Sequence, residues 1–583
     1  MKFAGYFLFN DNTGRSALMF NILSKIRRDV SPHDPLSSLK TLSRWFNDLP
    51  AGNVMAAHEQ LLGALVQFNS QPDQHTKDRL DVLMQLDISA RPLQMALCQQ
   101  YLRNSRMSRV MESRLWHSIY KFYWEQARAY HGFIMAYVAN PAGSRIKPAM
   151  SLVTLRTLHA FGNVFKWHYF RYEKPEAKLW LRLHNLYRVA EFEGFSKDAL
   201  SLYPQEASPA CCAGQYTRAL LLAQLDASAL YPKQIEMADN WLNQWAHLTH
   251  YDAQYAADDH TFYVNLTDGV GARRIRNPEF SESCRFLNIS ELTEKIKQSR
   301  LALQAGETAA LQGLGEDCRI PDCFEMLDYA ERQWGPLNQR EQRKSVRTII
   351  KNGVDVVHGF NEICALVKQG GNGVDVLHDA SPEIRYDEMI DMHLYGFVTD
   401  STRSRARQTI TQPTEKAPPH ERWVMENESE FGFGASVPSD EHDWLRLGGM
   451  VALHTLKSQP WKLAVVRRLA RATDGLSQVG IEILTHEPHL LMLRLQPSSS
   501  LHGYTVDGVD TNSELLPVPA LFISQTNRDR GEIILEAAQF ASGRSFAVTV
   551  NDHKAIIRLR EVIEKGEGWM RVGVDIVLTP TVA

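Results

Sequence analysis

The chain has 583 residues, 64 basic against 67 acidic, a net charge of −3 and seven cysteines. That length exceeds one hydrophobic core and predicts roughly two to four domains. The balanced charge gives no global pull toward a nucleic acid polymer, so a phosphate-bearing ligand needs a local basic cluster.

Residues 1–250 read as a helical module. Met1–Asn10 carries too short an apolar run for a signal peptide. No stretch approaches the ~20 apolar residues of a membrane span, so no span and a cytoplasmic location are expected. The irregularly spaced cysteines argue against a disulfide framework and suit a reducing compartment. Cys211-Cys212 and Cys318/Cys323 lack zinc-ligand spacing, and no metal is expected.

Over 111–140, Leu115, Ile119, Tyr123, Ala127, Tyr130, Ile134 and Val138 recur at three- and four-residue steps along one helix face, and Asn140-Pro141 ends the run. Further helices fit 151–172, from Pro175 through Ala190, 214–227 and 232–248. Short polar turns between them suggest a bundle or solenoid whose surface engages a protein partner. The aromatic stripe Trp116, Tyr120, Tyr123, Trp124 and Tyr130 is read as core and flank, because aromatics bury large apolar areas.

Residues 251–335 read as an α/β connector: a hairpin from Thr261, an apolar run at 284–289, a helix over 291–304 capped by Ser290, and another over 323–334 ending at Gly335-Pro336. His247, His250, Asp252, Asp258, Asp259 and His260 offer a rival reading as a metal-dependent hydrolase. No ligand spacing such as His-Glu-x-x-His supports it, and a polar loop accounts for the cluster.

Within 336–488, Glu426-Asn427-Glu428-Ser429-Glu430-Phe431-Gly432 contains the hexad Asn-x-Ser-x-x-Gly. Strand-like runs at 450–454, 461–469 and 478–484 follow it. Upstream, Arg343-Lys344-Ser345-Val346-Arg347 leads at once into a strand from Thr348. Together these resemble the PilZ domain, a bacterial β-barrel that binds cyclic di-GMP. The family's arginine arm is followed immediately by the first barrel strand, as here.

The resemblance departs in one respect. An insertion at about 360–420, with a helix over 361–368, a Gly-rich turn at 370–373 and a Pro-rich stretch at 411–420, separates the first two strands. A second pair, Arg403 and Arg407, lies inside it. It is nearer Asn427 but lacks a following strand, so Arg343/Arg347 is preferred. Residues 489–583 carry six short strands, predicting a second small barrel or sandwich. Arg571-Val572-Gly573-Val574-Asp575-Ile576 echoes Gln478-Val479-Gly480-Ile481-Glu482-Ile483 but brings no hexad, so no ligand site is expected there.

The expected whole is a multidomain α+β protein, in which a helical module precedes a PilZ-like barrel and a second β domain. The resemblance implies that Asn427, Ser429 and Gly432 form the barrel side of a cyclic di-GMP site and that Arg343, Lys344 and Arg347, or else Arg403 and Arg407, close over it. The chemistry suits the ligand. Guanidinium forks match phosphate and the O6/N7 edge of guanine. An asparagine amide both donates and accepts, and glycine admits close approach. The resemblance also implies a non-enzymatic effector acting on motility, pili, exopolysaccharide or biofilm. A scaffold whose barrel has lost the nucleotide is the alternative.

Overall fold

The computed structural model describes residues 34–335, 348–368, 420–495 and 517–578. Short breaks fall at 72–74, 105–106, 143, 207, 277–278, 316–317, 320, 440–441, 443, 456–459, 473–474, 528–529 and 551–552. The chain divides into two compact units. One takes residues up to Tyr101 with His117–Met150; the other takes Leu102–Trp116 and everything from Ser151.

The first unit is helical: α1 (Leu39–Asn47), α2 (Val54–Asn69), α3 (Lys77–Arg103) and most of α4 (Arg109–Ala139). Ser38 and Asn53 begin α1 and α2 by accepting from the backbone N–H groups of Thr41 and Ala56, which satisfies donors a helix start leaves orphaned. On α4, Ile119, Ala127, Tyr130 and Ile134 are buried, while Tyr120, Tyr123 and Trp124 are half-buried, so the stripe is core and flank. His58 sits among them. Its Nδ1 lies 3.0 Å from Ser118 Oγ and its Nε2 meets Gln94. Burial lowers its pKa to about 4, so the ring is neutral.

The second unit continues with α5 (Met150–Phe170), α6 (Ala177–Phe192), α7 (Cys212–Ala223) and α8 (Pro232–Trp245). Pro232 opens α8 where its missing N–H is harmless, and Gln234 Oε1 accepts from Tyr231 N at 2.9 Å. A charged network joins three of these helices. Arg218 on α7 donates to both carboxylate oxygens of Asp239 on α8, at 2.5 and 2.7 Å, and to Asn163 Oδ1 on α5 at 3.0 Å. Lys166 Nζ reaches Asp239 Oδ2 at 2.8 Å and Glu236 Oε2 at 2.7 Å. Burial opposes ionisation of Asp239, yet the two cations hold its carboxyl well below the usual range.

A four-stranded sheet follows, of β1 (His250–Asp252), β2 (Phe262–Asn265), β3 (Arg273–Arg274) and β4 (Cys284–Asn288) in the order β1-β4-β2-β3. Then come α9 (Ser290–Gln304) and α10 (Asp322–Trp334). Ser290 is the first residue of α9 rather than its cap, and Asn288 Oδ1 accepts from Ser290 N at 3.0 Å instead. Cys318 and Cys323 are bonded to each other with Cα atoms 5.6 Å apart, one local pair that irregular cysteine spacing did not signal.

Two closed six-stranded barrels complete the unit. The first holds β5 (Thr348–His358), β6 (Glu421–Ser429), β7 (Gly432–Pro438), β8 (Met450–Thr455), β9 (Lys462–Arg471) and β10 (Leu476–Thr485), in the order β10-β7-β6-β5-β8-β9. Helix α11 (Phe360–Lys368) follows β5. The second holds β11 (His489–Leu495), β12 (Val518–Asn527), β13 (Arg530–Glu536), β14 (Ser545–Val550), β15 (His553–Lys565) and β16 (Trp569–Leu578), in the order β11-β12-β13-β16-β15-β14. The sequence left barrel or sandwich open here; the β11–β14 pairing closes a barrel.

Alternate residues such as Val354, Trp423, Phe433, Val466 and Ile481 fill the first barrel. Outward-facing Met450, Leu463 and Val465 share a further core with α11 and with Leu521, Ile534 and Trp569 of the second barrel. Trp569 Nε1 donates to Gly448 O at 2.9 Å, and Arg467 on β9 engages Glu482 and Glu564 together. The two barrels are therefore packed against each other.

Candidate functional site

The hexad lies on the hairpin between β6 and β7. Ser429 pairs with Gly432, Glu428 with Phe433 and Asn427 with Gly434, with a bulge between Met425 and Asn427. Ser429 Oγ donates to Gly432 O at 2.9 Å and ties the turn. Gly432 is required by packing: a Cβ there would collide with the carbonyl oxygen of Ile481 on β10, and Ile483 N donates to Phe431 O at 2.9 Å. The glycine that motif reading assigns to ligand approach thus also lets β10 close over the hairpin.

Asn427 lies across Gly434, where a Cβ would stand 2.8 Å from Nδ2 and 3.1 Å from Oδ1. Its Oδ1 is buried and has no hydrogen-bond partner among the described residues. Buried polar atoms are nearly always paired, so this oxygen is available to accept from a ligand. Glu428 Oε1 stands 3.9 Å from Lys462 Nζ, which offsets part of the local negative charge. At the rim Ile349 is 87% and Phe431 43% exposed, large apolar groups that hydrophobic patterning alone places inside.

Strand β5 runs beside the hairpin, with Thr348 opposite Glu428 and Ile349 opposite Asn427. Its first residue therefore meets the corner. Arg343, Lys344 and Arg347 fall outside the described residues, as do Arg403, Arg407 and most of the insertion.

The opposite end of β6 is closed by aromatics. Glu421 accepts from Trp444 Nε1 at 2.7 Å and Trp423 Nε1 at 3.2 Å and faces His442 Nδ1 at 2.8 Å, while His358 stacks on Trp444 at 4.0 Å. Burial alone would raise the Glu421 carboxyl, but His442 and the two indoles hold it below its ordinary value. Glu421 is engaged by both indoles and by His442, so the cluster reads as a barrel plug.

In the 247–260 cluster His260 and Asp252 are engaged with each other. His260 Nδ1 accepts from Ala256 N at 2.9 Å, so its proton sits on Nε2, which donates to Asp252 Oδ2 at 2.9 Å. Neither nitrogen is left for a metal or a substrate. Among the described residues, no group of three or more His, Cys, Asp or Glu is arranged to hold a metal ion. No helix among them is long and apolar enough to cross a membrane.

A helical region followed by a closed barrel with an Asn-x-Ser-x-x-Gly hairpin defines a PilZ-type architecture, and comparison with known proteins agrees. Residues 40–254 match the family model described as "Cyclic-di-GMP receptor FimW, N-terminal domain", and residues 369–489 match "Cyclic-di-GMP receptor FimW, middle PilZ domain". The chain is a PilZ-family protein with a helical N-terminal module. A curated relative, the cyclic-di-GMP receptor FimW of Pseudomonas aeruginosa, is 23% identical over 362 residues, covering 56% of this chain and 58% of the relative. The match thus spans under two thirds of that relative's length. No solved structure matches the chain. The PilZ match takes in Arg403 and Arg407 and begins after β5.

Proposed function

We propose that the chain is a non-enzymatic cyclic di-GMP receptor of the cytoplasm whose dinucleotide sits at the Asn427–Ser429–Gly432 corner. One observation carries the reading. The corner presents an Asn427 Oδ1 with no hydrogen-bond partner among the described residues, directly beside the start of β5, the strand that Arg347 precedes by one residue in the chain. Arg343, Lys344 and Arg347 lead in sequence directly into that strand. The cyclic-di-GMP receptor in the matched family and in the curated relative supports the ligand's identity.

Guanidinium groups bond the phosphodiesters bidentately and stack on guanine, while Asn427 addresses a base edge or sugar. Arg403 and Arg407 are the rival arm, favoured by the span of the PilZ match. Ordering of the bound arm biases a conformational equilibrium and alters how the helical module meets a protein partner. Motility, pili, exopolysaccharide or biofilm are the outputs that family analogy supplies.

Isothermal titration with cyclic di-GMP tests the reading. Arg347→Ala and Ser429→Ala should each weaken binding by about 1–3 kcal/mol, the range for charge-assisted and buried hydrogen bonds. Arg403→Ala should leave it unchanged. The reverse pattern for the arginines would move the arm to the insertion, and no binding by the unmodified chain would refute the receptor.

A further inference from the structure

The barrel side of the corner has a second wall. Asn427 on β6 pairs with Gly434 on β7, Gly434 with Gly480 on β10, and Gly480 with Arg468 on β9. Side chains of paired residues point to the same face, so these four positions form one row across four strands. Their neighbours Phe433, Ile481 and Leu469 fill the barrel interior, which puts the row on its outer surface. Three strand steps set the two ends about 14 Å apart at Cα.

The middle positions are both glycine, and each is covered from its own side. The Asn427 amide lies over Gly434. The Arg468 stem lies over Gly480, with Cβ, Cγ and Cδ at 3.0, 3.5 and 3.6 Å from where a Cβ would be. The asparagine and the arginine therefore lean toward each other across a floor with no side chains of its own.

The Arg468 guanidinium is held at present by Asp226, with Nη1 3.4 Å from Oδ2 and side chains 62% and 43% exposed. Such an exposed pair is weak and readily exchanged. Asp226 is not a free surface acid. It stands at a left-handed φ of 49°, just before the 3-10 turn Ala227–Ala229, and its Oδ1 accepts from Ser228 Oγ at 2.6 Å. Tyr329 OH donates to the adjacent Leu225 O at 2.6 Å. The preceding residue on β9, Arg467, is tied to Glu482 and Glu564, and the strand register pairs Arg468, not Arg467, with Gly480.

We infer that Arg468 is a further ligand-binding residue of the dinucleotide site, taking a phosphodiester oxygen of the ligand at the expense of its contact with Asp226. The inference rests on the receptor reading above and adds a residue outside the hexad and both arginine pairs. A guanidinium fork offers a phosphate two parallel donors, against the single long contact Asp226 supplies. Ligand and Asp226 then compete for one cation, which links occupancy of the barrel to the Asp226 turn of the helical region. A competition of this kind is reciprocal.

The test is titration of the full chain with cyclic di-GMP, comparing the unmodified protein with Ser429→Ala, Arg468→Ala, Arg468→Lys and Asp226→Ala. Arg468→Ala should weaken binding about tenfold or more, and Arg468→Lys should restore part of it, as expected for one charge-assisted hydrogen bond. Asp226→Ala should tighten binding severalfold, which a merely structural arginine would not produce. If Ser429→Ala weakens binding while Arg468→Ala binds normally, the inference is wrong and the receptor reading stands. If the unmodified chain does not bind, both fall. Should Arg468→Ala misfold by circular dichroism, Asp226→Ala decides alone, and unchanged or weaker binding contradicts the inference.

Discussion

The two barrels share strand number, closure and an alternating interior, yet they differ in how their outer polar groups are satisfied. On the second barrel Arg571 pairs with Glu532 and Arg560 with Asp575. Its Gly573 would, with a Cβ, meet only the movable carboxylate of Glu561 at 3.0 Å. On the first barrel the Asn427 Oδ1 has no partner among the described residues, and Gly432 abuts a backbone carbonyl that cannot give way. One architecture thus serves as filled scaffold and as candidate receptor; the distinction lies in a few outer residues rather than in the fold.

That contrast can be pressed at several points. The largest effect should come where the barrels meet: Trp569→Ala empties the shared core and loses the bond to Gly448, costing about 3–5 kcal/mol in denaturant unfolding. Next, Gly432→Ala should destabilise by about 1–3 kcal/mol through overpacking against Ile481 and abolish ligand binding. Gly573→Ala on the second barrel should do neither. Smaller still, Arg571→Ala should cost under about 1 kcal/mol of stability and leave binding intact.

A pH titration separates barrel from helices. His58 and His184, buried in the helical regions, have pKa values lowered to about 4 from 6.5. Their folded forms bind fewer protons than the unfolded chain between those values. Their stabilising contribution is therefore complete above 6.5 and lost as pH falls toward 4. Glu421, held below its ordinary value, gives up its contribution only at lower pH, as the carboxyl protonates. Circular dichroism should show helical signal weakening first, and simultaneous loss of both would contradict this ordering.

Much of the architecture was legible in local pattern. Short apolar runs divided by turn residues marked the strands of both barrels, three- and four-residue steps marked α4, and the hexad marked its hairpin. What escaped were properties of pairing rather than of segments. Closure of the second barrel depends on β11 meeting β14, far apart in the chain. The Arg218–Asp239–Lys166 network joins three helices whose individual patterns give no hint of buried charge. The Cys318–Cys323 bond and the Asn288 contact with Ser290 N at the start of α9 each turn on a side chain's direction, which spacing does not report. Arg468 joins the Asn427 row only through three successive strand registers, so nothing in its own stretch of sequence singled it out.

The most direct measurement is calorimetric titration of the full chain with cyclic di-GMP, repeated with Ser429→Ala on the first barrel and Arg571→Ala on the second. The account predicts saturable binding that the first change weakens and the second leaves alone. Absence of binding at high micromolar ligand, or equal loss from both changes, would contradict it.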